Sequence, residues 1–291
     1  MRWISYRTPG GEEAVGLATS GGYRGASVAE LGADLLGLVR GGAPAMAAAA
    51  ERLASAPLVA AEGLDLLPPL PRPPKIICIG LNYMAHSQEA GFSPPAYPAV
   101  FARYATSLVA HGAPILRPRV SDQLDYEGEL AVVIGRGGRY IPEDQALDRV
   151  AGYAVFNDGS VRDYQLRTQQ WTIGKTFDAT GAFGPELVTT DELPRGCKGL
   201  RLETRLNGEV VQSASTDDLI FDVARLITIL SEAVTLEPGD VIVSGTPSGV
   251  GAARKPPLWM KPGDICEVSI EGVGVLSNPI ADEPVPAAGE A

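Results

Sequence analysis

The stretch LDYEGELAVVIG (124–135) sets Asp125, Glu127 and Glu129 two residues apart, ahead of a continuous apolar run. A strand points alternate side chains to one face, so the three acids would share a side. Like charges at that spacing repel, and unpaired carboxylates are costly to desolvate. An oxygen-preferring divalent cation, Mg2+ or Mn2+, is the natural neutraliser. Asp158, at the end of VAGYAVFND, would bring a further ligand if its strand lies alongside. Spacing alone leaves a second reading equally open, a solvated acidic face on an exposed strand.

Three other groups carry potential chemistry. His86 and Glu89 in NYMAHSQEAG stand one helical turn apart. A carboxylate at that distance orients an imidazole and raises its basicity, as a general base requires. Read alone, the pair is more often a surface histidine with an incidental acid neighbour. Lys175, in the Gly-rich WTIGKTFDATGAFGP, could bind a substrate carboxylate or pair with the acids. SGTPSGVG (244–251) lacks the lysine and spacing of a phosphate loop, but a tight turn there would offer Thr246 and backbone N–H groups to an anion.

The rest of the composition narrows the class. The chain has 291 residues, of which 45% are apolar and 20% charged, enough for a large core and a second small unit. A net charge of −11 argues against nucleic acid or an anionic membrane as partner. No apolar run reaches the roughly 20 residues of a membrane span, and the first residues lack a secretory h-region. A cytoplasmic protein is expected. Cys78, Cys197 and Cys266 are odd in number and far apart, which fits reduced thiols better than disulfides or zinc. With only His86 and His111 present, a site of clustered imidazoles is excluded.

The elements that must position these residues are mostly strands. Residues 1 to 70 read as short strands with Gly-rich breaks, then two helical stretches, VAELGADLLGLVRGG and PAMAAAAERLASAPL. The Pro-rich LPPLPRPPK (67–75) cannot continue a helix and marks a domain boundary. KIICIGLNY reads as a buried strand running into a loop, and NYMAHSQEAG as a short helix ending at Gly91. From residue 99 onward strands dominate, and the apolar periodicity of DDLIFDVARLITILSEA predicts a helix over 217–233. The pattern is α+β and mainly β, not alternating βαβ units. A C-terminal tail, 282–291, is expected to be disordered.

GLNYMAHSQEAG, LDYEGELAVVIG, GYAVFNDGSVRDYQ, WTIGKTFDATGAFGPELVT, LNGEVVQSAST and LEPGDVIVSGTPSGVG occur in that order. Together, over residues 74 to 281, they resemble the fumarylacetoacetate hydrolase superfamily. The resemblance implies a mixed β-sandwich roll with few helices over 71–281, preceded by a small α+β N-terminal domain over 1–70. It implies Glu127, Glu129 and Asp158 as ligands of Mg2+ or Mn2+, and a lid-borne His86–Glu89 pair with Lys175 as catalytic groups. Gln165, Thr246 and Arg103 would face the substrate. Arg162 and Asp163 read as structural, and Asp125 has no metal role. Two departures bear on recognition of a distal carboxylate: Leu81 where some members carry arginine, and Arg103 where lysine is common. The implied partner is a small 2-oxo acid, and the implied assembly a homodimer.

The implied reaction passes through a metal-stabilised enolate. Hydrolysis of a C–C bond in an acylpyruvate or fumarylpyruvate-type substrate is the first expectation. Oxaloacetate decarboxylation, or isomerase or lyase chemistry on a related oxo acid, would use the same ligands. A non-catalytic ligand-binding protein is the rival from another class.

Overall fold

The computed structural model describes residues 1–84, 89 and 95–285. The chain opens with an antiparallel meander, β1 (Arg2–Arg7), β2 (Glu13–Thr19) and β3 (Gly22–Ser27). Three helices follow, α1 (Val28–Leu31), α2 (Leu35–Arg40) and α3 (Gly42–Leu53). Ser27 and Glu30 form a reciprocal capping box on α1, and Asp34 caps α2, so polar side chains start both helices where the sequence supplies them. Short β4 (Leu58–Val59) and β5 (Asp65–Leu67) lead into the Pro-rich connection.

Beyond it come β6 (Ile76–Gly80), β7 (Ala99–Arg103), β8 (Leu108–Val109), β9 (Ile115–Arg117), β10 (Leu124–Asp125) and β11 (Gly128–Ile134). Helix α4 (Glu143–Ala146) precedes β12 (Val150–Asp158) and β13 (Ser160–Val161). Two single-turn helices, α5 (Arg162–Gln165) and α6 (Thr172–Lys175), then lead to β14 (Gly181–Thr189). The last elements are β15 (Arg201–Leu206), β16 (Glu209–Ser215), α7 (Val223–Ala233), β17 (Val241–Val243), β18 (Ile265–Ile270) and β19 (Gly274–Asp282).

The large sheet runs β4-β3-β2-β1-β14-β12-β11-β17-β6-β7, with β5 on β1 and β8 on β14. A second sheet runs β16-β15-β18-β19-β9, and β10 pairs with β13 alone. The N-terminal strands are therefore hydrogen-bonded through β1 and β14 to the same sheet that carries the acidic residues.

Strand alternation explains why the central strands are apolar on both sides. Leu130, Val132 and Ile134 of β11 pack with β15, β18 and α7 through Leu202, Val268 and Leu226. Ala131 and Val133 point the other way, onto Leu35, Val39 and Met46 of the N-terminal helices. The 45% apolar content thus builds a sheet buried on both faces. Glu127 and Glu129 continue the parity of Ala131 and Val133, so they stand on the N-terminal-helix side at the end of that layer.

Two expectations change. The acids do not belong to one strand: the chain leaves β10 at Asp125 and re-enters β11 at Gly128. The amphipathic helix begins at Val223, not Asp217. Residues Thr216–Asp218 form a separate 3-10 turn capped by Ser215, and Asp222 caps α7 by accepting from the Arg225 amide. The acids of DDLIFD favour caps over a continuous helix. The helix expected around His86 lies mostly outside the described residues, as do residues 286–291 of the expected tail. All three cysteines are free and buried.

Candidate active site

β11 and β12 run antiparallel with Gly128 opposite Asn157, and the Asp158 amide donates to the Glu127 carbonyl at 2.8 Å. That register brings the start of one strand to the end of the other. One carboxylate oxygen each from Glu127, Glu129 and Asp158 falls within 4.8 Å of the others, and all three residues are at most 5% exposed. Such a cluster is tolerable only with compensating charge.

The compensation is partial. Lys175, at the end of α6, places Nζ 2.7 Å from Glu127 and 2.7 Å from Asp158. Arg162, opening α5, lies 2.7 Å from Glu127 through Nη1 and 2.8 Å from Asp125 through Nε. Arg103 pairs with Asp158 from the other side. Among the described residues, four buried carboxylates therefore meet three buried cations. Glu129 is the one left over: it accepts the Gly245 amide, but no cation pairs with it among the described residues.

Burial pushes the Glu129 carboxyl well above the usual range, and the charges of Asp158 and Glu127 push it further. Burial opposes the charge on Lys175, but Asp158 and Glu127 outweigh it and hold the ammonium above its ordinary value. Among the described residues the cluster is one positive charge short, and Glu129 belongs to a set of three hard oxygen donors. A divalent cation fits that deficit.

The loop after β17 orders the acids through its backbone. Gly245 donates to Glu129, Gly249 donates to both oxygens of Glu89 at 3.0 and 3.1 Å, and Gly251 and Ala252 donate to Asp125 at 2.8 and 2.9 Å. The backbone N–H groups of this turn are taken up by the chain's own carboxylates, and the Thr246 hydroxyl, expected to face an anion, donates instead to the Gly128 carbonyl. Gly249 has φ +101°, and a Cβ there would stand 2.1 Å from the Val211 carbonyl, so only glycine lets the loop approach this closely. Asp125, unexplained by sequence, anchors Arg162 and this loop together.

A cavity of about 320 Å3 opens beside the cluster. Its polar wall is Glu89, Glu127, Arg162, Gln165, Lys175 and Thr246. Its apolar wall includes Ile79, Leu81, Phe101, Leu166, Trp171 and Val250. Trp171 packs edge-on to Phe101 at 5.7 Å and lies over Gly80, where a Cβ would come within 2.3 Å of the indole.

The expected residues converge unequally. Gln165 and Thr246 both line the cavity. Gln165 accepts from Arg162 at 2.8 Å, while the Thr246 hydroxyl donates to the Gly128 carbonyl and accepts from Gln212. Arg103 does not line it: the guanidinium lies behind Asp158, donating also to Ser107, Gly159 and Thr180. His86 lies outside the described residues. Arg162, read as structural from sequence, lines the cavity, and its buried Nη2 has no acceptor among the described residues. An arginine beside an acidic cluster was the available signal, but its orphaned nitrogen is visible only in three dimensions.

Residues 75–281 match the family model described as fumarylacetoacetate (FAA) hydrolase, C-terminal. The chain belongs to the fumarylacetoacetate hydrolase family. It is 38% identical over 290 residues to the mitochondrial oxaloacetate tautomerase Fahd2a of Rattus norvegicus, covering 96% of this chain and 91% of that one. The fumarylacetoacetate hydrolase of Exiguobacterium antarcticum superposes with a TM-score of 0.84 at 34% identity, over 97% of this chain and all of the other. The maleylpyruvate hydrolase of Sphingobium sp. SYK-6, solved with manganese(II) and pyruvate, superposes at 0.81 with 27% identity, over 98% of this chain and 100% of that one. The expected β-dominated fold with few helices is thus that of the family. The rat relative is named mitochondrial, which lends the expected cytoplasmic location no support. Among the described residues no helix is long and apolar enough to cross a membrane.

Proposed function

We propose that this family member catalyses proton transfer on a small 2-oxo acid, interconverting the keto and enol forms of an oxaloacetate-type substrate. The observation carrying this reading is the pairing of groups around one cavity. Glu89 is held by the Gly249 amide, while Lys175 and the orphaned Arg162 Nη2 belong to the cationic part of the same wall. The chain-wide similarity to a protein named oxaloacetate tautomerase supports the choice of substrate.

Glu127, Glu129 and Asp158 would hold Mg2+ or Mn2+, whose charge supplies Lewis-acid stabilisation of a developing enolate oxygen. Arg162 Nη2 gains its missing acceptor from a substrate carboxylate. Glu89 takes the proton from the carbon beside the keto group, and Lys175, kept protonated by Asp158 and Glu127, gives one to the oxygen. The substrate gains and loses one proton, and exchange with solvent then returns Glu89 to the carboxylate and Lys175 to the ammonium, which completes the cycle in the keto-to-enol direction. The apolar wall keeps water from the reacting carbon.

Cleavage of an acylpyruvate C–C bond is the second reading, favoured by the fold shared with the maleylpyruvate hydrolase and by an apolar wall suited to an acyl arm. The test follows enol absorbance of oxaloacetate, and product release from acylpyruvates, with Mn2+ and with EDTA. Tautomerisation faster than Mn2+ alone produces, and lost in EDTA, supports the proposal. Rapid acylpyruvate cleavage with tautomerisation at the uncatalysed rate sinks it in favour of hydrolysis.

A further inference from the structure

A second cavity, of about 550 Å3, lies at the opposite end of β11 from the acidic cluster. Its walls come from the α2–α3 junction, from the residues following β11 and β14, and from the segment entering β12. Glu129 and Gly135 bracket the strand. Six residues at ~3.3 Å each separate the two sites by roughly 20 Å.

Three guanidiniums line this cavity, Arg40, Arg136 and Arg149. None has a carboxylate within 4.0 Å among the described residues. Two carboxylates also line the cavity, Asp148 and Asp191, and both, like Glu237 nearby, are engaged elsewhere. Asp148 pairs with Arg195 at 2.8 Å, Asp191 lies 3.4 Å from the N-terminal amine, and Glu237, which feels Arg40 at longer range, is bound to Lys75 at 2.7 Å. Arg149 donates to the Gly137 carbonyl at 3.3 Å, and its buried Nε has no acceptor among the described residues. Gly42 and Ala43, in the first turn of α3, complete the wall, and that helix has no side-chain cap.

In a chain with 35 acids and 24 bases, unpaired arginines gathered around one cavity run against the overall balance. Guanidinium forks match carboxylate and phosphate oxygens in pairs. We propose that this cavity binds a small multivalent anion bearing carboxylate or phosphate groups, at a site separate from the reaction centre. The N-terminal segment then contributes a binding wall as well as a cover for the sheet.

Calorimetry on the full chain in EDTA tests this, because without a cation the acidic cluster repels anions. Pyrophosphate, inorganic phosphate and succinate are the probes, and their ranking separates phosphate from carboxylate recognition. Saturable binding of at least one is expected, weakened by salt. It should fall about tenfold or more in the double variant Arg40→Ala, Arg136→Ala, both exposed positions whose loss leaves the fold intact. Arg7→Ala, outside the cavity, should change nothing. Absence of saturable binding at millimolar probe, or binding that the double variant leaves unchanged, overturns the proposal.

Discussion

The two walls of the active-site cavity are built on different physics. The acidic wall rests on the register of β11 against β12, and on ion pairs of 2.7–2.8 Å in which every cation is buried. The apolar wall rests on Trp171, the residue ahead of α6, packed on Phe101 of β7 and over Gly80 of β6, with Leu81, Leu166 and Val250 added from outside the strands. Strand register tolerates no slip, because a one-residue shift turns every side chain to the other face. Loop-borne apolar contacts can exchange one shape for another at small cost. In the proposed function the difference separates chemistry from selectivity: the first wall would fix what reaction is possible, the second which substrate reaches it.

The largest effect should come from Glu129→Gln, which keeps the shape but removes the unpaired charge. Calorimetry should show Mn2+ binding lost, and turnover should drop by about 10³-fold or more. Retained Mn2+ affinity would show that the acidic wall is structural only. Glu89→Gln, at an exposed position that accepts from the Gly249 amide, should slow proton transfer by about 10²–10⁴-fold while Mn2+ affinity stays unchanged. An unaltered rate would remove Glu89 from the chemistry.

Lys175→Met sharpens the comparison through stability. It leaves Glu127 and Asp158 short of a buried cation, and should cost about 3 kcal/mol in denaturant unfolding of the metal-free protein, with much of the loss restored by Mn2+. Trp171→Ala, on the other wall, should barely move Mn2+ affinity and alter selectivity between oxaloacetate and bulkier acyl substrates by about tenfold. Equal effects of these two variants on metal binding would erase the distinction drawn here.

The smallest expected effect is a pH dependence. The folded protein keeps Glu129 protonated to higher pH than an ordinary carboxyl, chiefly through burial. The stability this gives the metal-free protein is complete below the unfolded value and is lost as pH rises through the folded one. A cation binds the ionised form, so the rise in Tm produced by Mn2+ should grow with pH across that window. A constant increment would contradict the assignment.

The acidic wall was legible only through the ordered family motifs, whose resemblance implied Glu127, Glu129 and Asp158 as ligands. Alternation alone left a solvated face equally open, and it put the acids on one strand that the chain in fact breaks between Asp125 and Gly128. What escaped was long-range. Asp125 finds its partners 37 and 126 residues away, at Arg162 and Gly251, and no spacing rule reaches that far. Arg103 looked available for substrate only because its burial behind Asp158 depends on how β7 joins the sheet. The helix start at Val223 was missed because apolar periodicity extends through Leu219, while the capping carboxylate of Asp222 decides the boundary. Nor does composition reveal that the N-terminal strands join the catalytic sheet through β1 and β14.

The most direct measurement is a crystal structure of the Mn2+-loaded protein, with the metal located by anomalous scattering. Mn2+ is expected bound by oxygens of Glu127, Glu129 and Asp158, with Glu129 ionised and the loop amide of Gly245 still on it. Mn2+ absent from this cluster at saturating concentration, with Lys175 alone bridging Glu127 and Asp158, would contradict it.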